Sequence, residues 1–195
     1  MKGFERDNLL FSLCGLNCGL CPMHLDGYCP SCGGGEGNQS CAIARCSLKR
    51  GSVAYCFQCP AYPCERYAGI DDYDSFITHF HRIRDMEKAA DIGMDAYCAE
   101  QREKIRILRQ LLNNYNDGRR KRFYCAAVNL LELPDLQQVM TELQQLAERT
   151  KENGQPAKEK AAYAAKLLQA AADEKQLSLK LRKKPKTKLS TDQKG

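Results

Sequence analysis

The chain has 195 residues and a mass of 22.0 kDa, with a formal charge of +6, 43% hydrophobic residues, 28% charged residues and 12 cysteines. That is room for one ordinary domain, or for a small domain beside a helical one. Apolar runs such as Leu9 to Phe11 and Ala170 to Ala172 are only a few residues long, and none approaches the roughly 18 to 20 that cross a bilayer, so a helical membrane protein is excluded.

At the N-terminus, Glu5, Arg6 and Asp7 interrupt what would be a basic leader, and the apolar stretch Leu9 to Leu13 is too short for a secretory signal. The expected location is the cytoplasm, where cysteines stay reduced. Ten of them, Cys14, Cys18, Cys21, Cys29, Cys32, Cys41, Cys46, Cys56, Cys59 and Cys64, lie within residues 14 to 64. In a reducing compartment that density points to metal and away from a disulfide framework. Residues 1–69 are also rich in glycine and proline with scattered aliphatics, so apolar burial alone could not fold them. Metal would supply the missing core.

Three Cys-x2-Cys pairs, 18/21, 29/32 and 56/59, each present two sulfurs on one side of a tight turn, which are two legs of a tetrahedron. In Cys29-Pro30-Ser31-Cys32-Gly33 the glycine after the second thiol can take positive φ and fold the backbone toward sulfur, the pattern of a zinc knuckle. The run Cys14-Gly15-Leu16-Asn17-Cys18-Gly19-Leu20-Cys21-Pro22, with Cys29-Pro30-Ser31-Cys32, Cys41 to Cys46 and Cys56-Phe57-Gln58-Cys59-Pro60-Ala61-Tyr62-Pro63-Cys64-Glu65, resembles the cysteine-rich domain of unknown function family 3795 of bacteria and archaea. Tyr115 to Arg120 and Phe123-Tyr124-Cys125 are similar to its longer members. The resemblance implies metal binding, with zinc the expected ion, and no activity to carry over.

Two tetrahedral zinc sites need eight thiolates. One partition gives Cys29, Cys32, Cys41 and Cys46 to the first site and Cys18, Cys21, Cys56 and Cys59 to the second, with Cys14 and Cys64 spare or exchanging. A two-metal cluster on the six outer cysteines is another arrangement. His24 is a substitute ligand or an ordinary loop histidine. The alternative cofactor is an iron–sulfur cluster for electron transfer or redox sensing, since Cys-Pro at 21/22 and 59/60 resembles cluster loops. Cys14-x3-Cys18-x2-Cys21 also matches the spacing of radical enzymes using S-adenosylmethionine, but the chain lacks the alternating strands and helices of their barrel.

After a composition break at Gly69-Ile70-Asp71, five helices are predicted. The first runs from about Tyr73 to Asp91, with Phe76, Phe80, Ile83 and Glu87 on one stripe and Gly93 as its stop. The second, about Asp95 to Asn114, carries Ile105, Leu108, Leu111, Leu112 and Tyr115. A third spans about Arg120 to Leu131. The fourth begins at Pro134 and aligns Leu136, Val139, Met140, Leu143 and Leu146. The fifth begins at Pro156 and is alanine-rich through Asp173. With three valines and no alternating β-branched run, the expected fold is mainly α with an irregular N-terminal Cys-rich metal-binding domain and little or no β-sheet. The expected divisions are 1–69, 70–174 and a disordered basic tail at 175–195.

Cys98 and Cys125 read as buried structural thiols. His79 and His81, two apart on a predicted helix, cannot share a metal. Arg119, Arg120, Lys121 and Arg122 place positive charge at a helix start, where the dipole disfavours it. They are neutralised by acids such as Glu100 or Glu103, or they form an anion site. Residues 175–195 hold eight basic residues and one acid, whereas the preceding 174 hold 22 basic and 23 acidic residues. The tail therefore suggests attraction to nucleic acid or to an acidic protein on an otherwise mildly acidic body. No catalytic triad, paired-carboxylate site, Walker loop or dinucleotide fingerprint is present, so the sequence leaves open whether the protein is an enzyme. The reading it favours is a structural-zinc binding module.

Overall fold

In the computed structural model, which describes residues 3–35, 41–149 and 156–185, seven α-helices form and no strand is present among the described residues. They are α1 (Pro22–Leu25), α2 (Ala42–Lys49), α3 (Arg82–Ile92), α4 (Met94–Asn114), α5 (Lys121–Leu130), α6 (Leu133–Arg149) and α7 (Ala157–Glu174). None is long and apolar enough to cross a membrane. The 21 residues of α4 make a rod of about 30 Å. Against it pack α3, α5, α6, α7 and a 3-10 turn at Cys18–Leu20. Leu108, Leu111, Tyr124, Val128, Leu136, Leu143 and Leu168 fill the space between α4, α5, α6 and α7. The alanines of α7 let it lie close, with Ala161, Ala164 and Ala172 fully buried. Tyr124 crosses this core and donates its hydroxyl to the Tyr115 and Ala161 carbonyls at 2.6 and 3.3 Å.

The composition break at residue 69 does not mark a gap in packing. Leu20 belongs to the main core, and Phe11 and Tyr55 pack with Met86, Ala89 and Tyr97 in a second cluster. Only a third, small cluster of Phe4, Leu13, Ile43 and Ala44 is internal to the N-terminal region. Gly15 makes the close approach to α3. It has φ 95°, and a Cβ there would lie 2.7 Å from the Arg82 carbonyl oxygen and 2.5 Å from Met86 Cγ.

One helix starts later than its periodicity predicts. The segment expected to be helical from Tyr73 is irregular until Arg82, and Phe76 and Phe80 of the expected stripe are exposed at 58% and 53%. Local side chains satisfy the amides there: Asp74 accepts from the His79 N–H at 2.7 Å and Thr78 from the Phe80 N–H at 3.3 Å. Such short-range bonds compete with helical ones.

The first half of the tail makes contacts with the body. Leu179 is buried against the main core. The Arg182 amide and guanidinium donate to Asp74 at 2.7 and 2.8 Å, the Arg182 carbonyl accepts from the Asp74 N–H at 2.8 Å, and the Asp74 side chain is 1% exposed. Arg182 also lies over the Phe80 ring at 5.3 Å. A buried carboxylate holds this part of the chain, which charge and proline content alone would not reveal. Lys186, Lys188 and Lys194 lie outside the described residues.

Candidate metal centre

Two of the three Cys-x2-Cys pairs fold alike. Cys18–Leu20 and Cys56–Gln58 are single 3-10 turns closed by the Cys21 and Cys59 amides donating to the Cys18 and Cys56 carbonyls, each at 3.0 Å. After the third pair, Gly33 takes φ 84° as its sequence suggests. Its carbonyl accepts from the Arg6 amide at 3.2 Å, tying the turn to the irregular N-terminal segment. Backbone amides face sulfur at several points: those of Met23 and His24 at Cys21, that of Cys32 at Cys18, and that of Leu13 at Cys32. An amide aimed at sulfur favours the thiolate.

All twelve cysteines are free thiols, and the fold sorts the ten of residues 14–64 into neighbourhoods. Cys46, Cys56, Cys59 and Cys64 line one cavity of about 240 Å³, together with Leu13, Ile43, Val53, Tyr62 and Tyr67. Cys14 and Cys32 influence the Cys18 thiol, and Cys14 and Cys41 influence Cys32. Cys29 neighbours Cys21, and Cys21 in turn neighbours Cys125 on α5. The fold brings Cys46 to the 56/59 pair, and Cys14 acts on Cys56 as well as on Cys18 and Cys32, so the neighbourhoods overlap. Loop closure through α2 does this: Ile43 and Ala44 are buried, and Cys46 follows on the same short helix. Among the described residues, no three or more His, Cys, Asp or Glu side chains form a ready-made coordination group.

Burial dominates the electrostatics of these thiols. It pushes Cys18 up to about 12, opposed by a hydrogen bond from Ser31 and reinforced by Cys32 and Cys14. It pushes Cys56 up to about 11, opposed by Tyr67 and reinforced by Cys14, Cys64 and Cys46. Without a cation these sites hold protons; a metal would displace them. The Tyr67 phenol is raised beyond its usual range by burial and by Cys56. Arg50 hydrogen-bonds Cys46, which with Cys59 holds its guanidinium further in the charged form.

The other candidates fall in several places. His24 Nδ1 lies 3.0 Å from the Cys29 carbonyl oxygen. His79 and His81 precede α3, and burial pushes each down to about 4, assisted by Arg82 for the first and Arg84 for the second. Cys98 and Cys125 are buried, Cys98 accepting from Asn8 Nδ2 at 3.0 Å. In the basic run, Arg120 pairs with Asp117 at 3.3 Å and Lys121 pairs with Asp26, while Arg119 and Arg122 are exposed. The neutralising acids are thus Asp117 and Asp26, not Glu100 or Glu103; Glu103 is engaged by Arg106 at 2.6 Å and Glu100 by Lys88 at 2.8 Å.

Sequence reasoning missed Asn17, which sits between Cys14 and Cys18. It is 3% exposed, donates to Asp85 Oδ2 at 2.9 Å and to Asn129 Oδ1 at 3.1 Å, and accepts from the Tyr97 hydroxyl at 2.9 Å. One amide thus ties the first cysteine loop to α3, α4 and α5. Burial raises Asp85 to about 6 against the opposing charge of Lys104, and lowers Lys104 to about 8. No short motif marks such a residue, because its partners lie 68 to 112 positions away. Compared with known proteins, the chain matches no family model, no curated protein and no solved structure.

Proposed function

We propose that this protein is a cysteine-thiolate zinc protein of the reducing cytoplasm whose metal closes the N-terminal region so that it can serve as a binding module. The observation that carries this reading is that Cys46, Cys56, Cys59 and Cys64 all line one cavity, without forming a ready-made coordination group. That donor set fits a thiophilic divalent ion, and four sulfurs leave no open position for water or substrate. A second zinc would draw on Cys14, Cys18, Cys32 and Cys41, of which Cys14 and Cys32 act on Cys18, and Cys14 and Cys41 on Cys32. Amides directed at Cys18, Cys21 and Cys32 support thiolate ligation there. Zinc so held supplies folding energy. The likeness of the cysteine pattern to domain of unknown function family 3795 agrees with a metal role and adds no activity.

The binding role extends to the basic residues Lys183 and Lys184 and to those that follow, which would attract nucleic acid or an acidic protein. A chain ending after Pro185 and carrying Lys183→Gln/Lys184→Gln removes these charges and keeps Leu179 and the Arg182–Asp74 contact intact. Loss of nucleic-acid affinity and of its salt dependence in that variant supports the role; unchanged values remove it. For the metal, the test is anaerobic purification followed by elemental analysis and a visible spectrum. Colourless protein with about two zinc ions per chain is the expected result. Brown protein with bound iron and sulfide would replace this reading with an iron–sulfur protein.

A further inference from the structure

We infer that residues 73–80 and the adjoining start of the basic tail form a binding surface for single-stranded nucleic acid, in which exposed rings stack on bases and lysines meet the phosphates. This deepens the nucleic-acid arm of the binding role proposed above, rests on that arm, and does not depend on zinc. Of the five large hydrophobic side chains exposed among the described residues, Tyr73, Phe76 and Phe80 lie in this one short segment, at 39%, 58% and 53%. A single exposed apolar residue is ordinary, whereas a cluster marks a place where something binds.

Their exposure is built into the local fold. Ile77 and Thr78 are buried, which anchors the segment from within and leaves Phe76 and Phe80 outside on either side of the anchor. The backbone is fastened as well. The His79 amide donates to Asp74 at 2.7 Å, the Ser75 amide donates to the Ile77 carbonyl at 3.2 Å, and His79 Nε2 lies 2.9 Å from the Ser75 hydroxyl. Rings displayed on a fastened loop lose little freedom when a partner lands on them.

Charge selects the partner. Arg182 is bonded to Asp74 and lies over the Phe80 ring at 5.3 Å, so the basic tail leaves the body beside these rings. Lys183 and Lys184 follow and are exposed, and the sequence continues with Lys186, Lys188 and Lys194 against one acid, Asp192. The acids of the aromatic segment do not cancel this charge: Asp74 is held by Arg182 at 2.8 Å and Asp71 lies 3.0 Å from Arg82, while exposed Asp72 sets one negative charge against the lysines. Aromatic faces beside cations are what a single strand requires, because its unstacked bases offer flat π-faces and its backbone offers phosphates. A duplex keeps its bases stacked and would engage the lysines alone. An acidic peptide supplies the charge without a regular series of flat rings.

The test is fluorescence anisotropy of labelled oligothymidylate, and of a duplex of equal length, titrated with the full-length protein at several salt concentrations, with polyglutamate as competitor. Oligothymidylate is expected to bind at least about tenfold more tightly than the duplex. Phe76→Ala/Phe80→Ala is expected to weaken oligothymidylate binding at least about tenfold with its salt slope unchanged, because stacking releases no counterions. Phe76→Tyr/Phe80→Tyr keeps the rings and is expected to keep the affinity, which separates lost stacking from a disturbed loop. Undiminished binding by the alanine variant, equal loss in the tyrosine variant, tighter binding of the duplex, or displacement by polyglutamate more readily than by unlabelled oligothymidylate would overturn the inference. If the shortened Lys183→Gln/Lys184→Gln chain loses affinity and salt dependence while the alanine variant does not, the role of the tail stands and this surface falls. If the full-length protein binds neither oligothymidylate nor duplex, both fall.

Discussion

In the bundle of α4 to α7, Leu108, Leu111, Leu136, Leu143 and Leu168 are all fully buried and belong to one core cluster. In residues 3–69, the large apolar side chains buried to a similar degree are Phe11, Leu13 and Leu20, and Phe11 and Leu20 face the helices. What remains internal to the N-terminal region is the small cluster around Phe4, Leu13, Ile43 and Ala44, with Cys14, Cys32 and Cys56 at its edge. Fully burying one such side chain contributes about 1.5 to 3 kcal/mol, whereas ordering each residue costs about 1 to 2 kcal/mol in backbone entropy alone. The bundle can stand on apolar contact. The cysteine-rich region has fewer such contacts of its own; polar and close-packed contacts seat it on the bundle, and in the proposed zinc reading thiols joined through metal add to them.

Removing the proposed zinc is the strongest way to break that comparison. A tight zinc chelator is expected to expose residues 41–69 to proteolysis and hydrogen exchange while α4 to α7 keep their protection; equal loss in both regions would show that they are not held differently. The next largest effect belongs to the close approach at Gly15. Gly15→Ala combines positive φ with a clash against the Arg82 backbone, and is expected to cost about 3 kcal/mol or more in denaturant unfolding. A change under about 1 kcal/mol would mean that the loop is not pressed on α3. Asn17→Ala leaves Asp85, Asn129 and Tyr97 each short of a partner, with an expected loss of about 2 to 3 kcal/mol. A neutral result would remove Asn17 as the link between the regions.

The smallest effect is in the pH profile. His79 and His81 have folded values pushed down to about 4 from 6.5, so the unfolded chain binds more protons between those values and stability falls as pH drops through that window. Asp85, raised to about 6 from 3.8, acts in the opposite direction over nearly the same range. Two histidines outweigh one aspartate, giving a net acid destabilisation of about 1 kcal/mol or more below pH 6.5. Lys104, lowered to about 8 from 10.5, adds stability as pH rises through that upper window. Thermal melts across pH check both signs. His81→Gln should flatten the acid limb and Asp85→Asn should steepen it; the reverse pattern would contradict the assignment.

The helical bundle was legible in the sequence because its signals are local. The stripe of Ile105, Leu108 and Leu112, the proline before Leu136 and the glycine at 93 each act within a few residues. The beginning of α3 was not legible, because Asp74 serves both its own turn and Arg182, 108 positions away. Within the cysteine-rich region, spacing identified the ten thiols and the turns at 18/21, 56/59 and Gly33. It could not say which turns meet. That depends on the burial of Ile43 and Ala44, which carries Cys46 to Cys56 and Cys59, and on Asn17 reaching α3, α4 and α5.

Zinc K-edge X-ray absorption on the anaerobically purified full-length chain, repeated on a Cys46→Ser/Cys59→Ser variant, tests the metal assignment most directly. The account predicts an all-sulfur shell at about 2.3 Å and loss of half the bound zinc in the variant. Absence of zinc, a shell dominated by nitrogen and oxygen, or full zinc retention in the variant would contradict it.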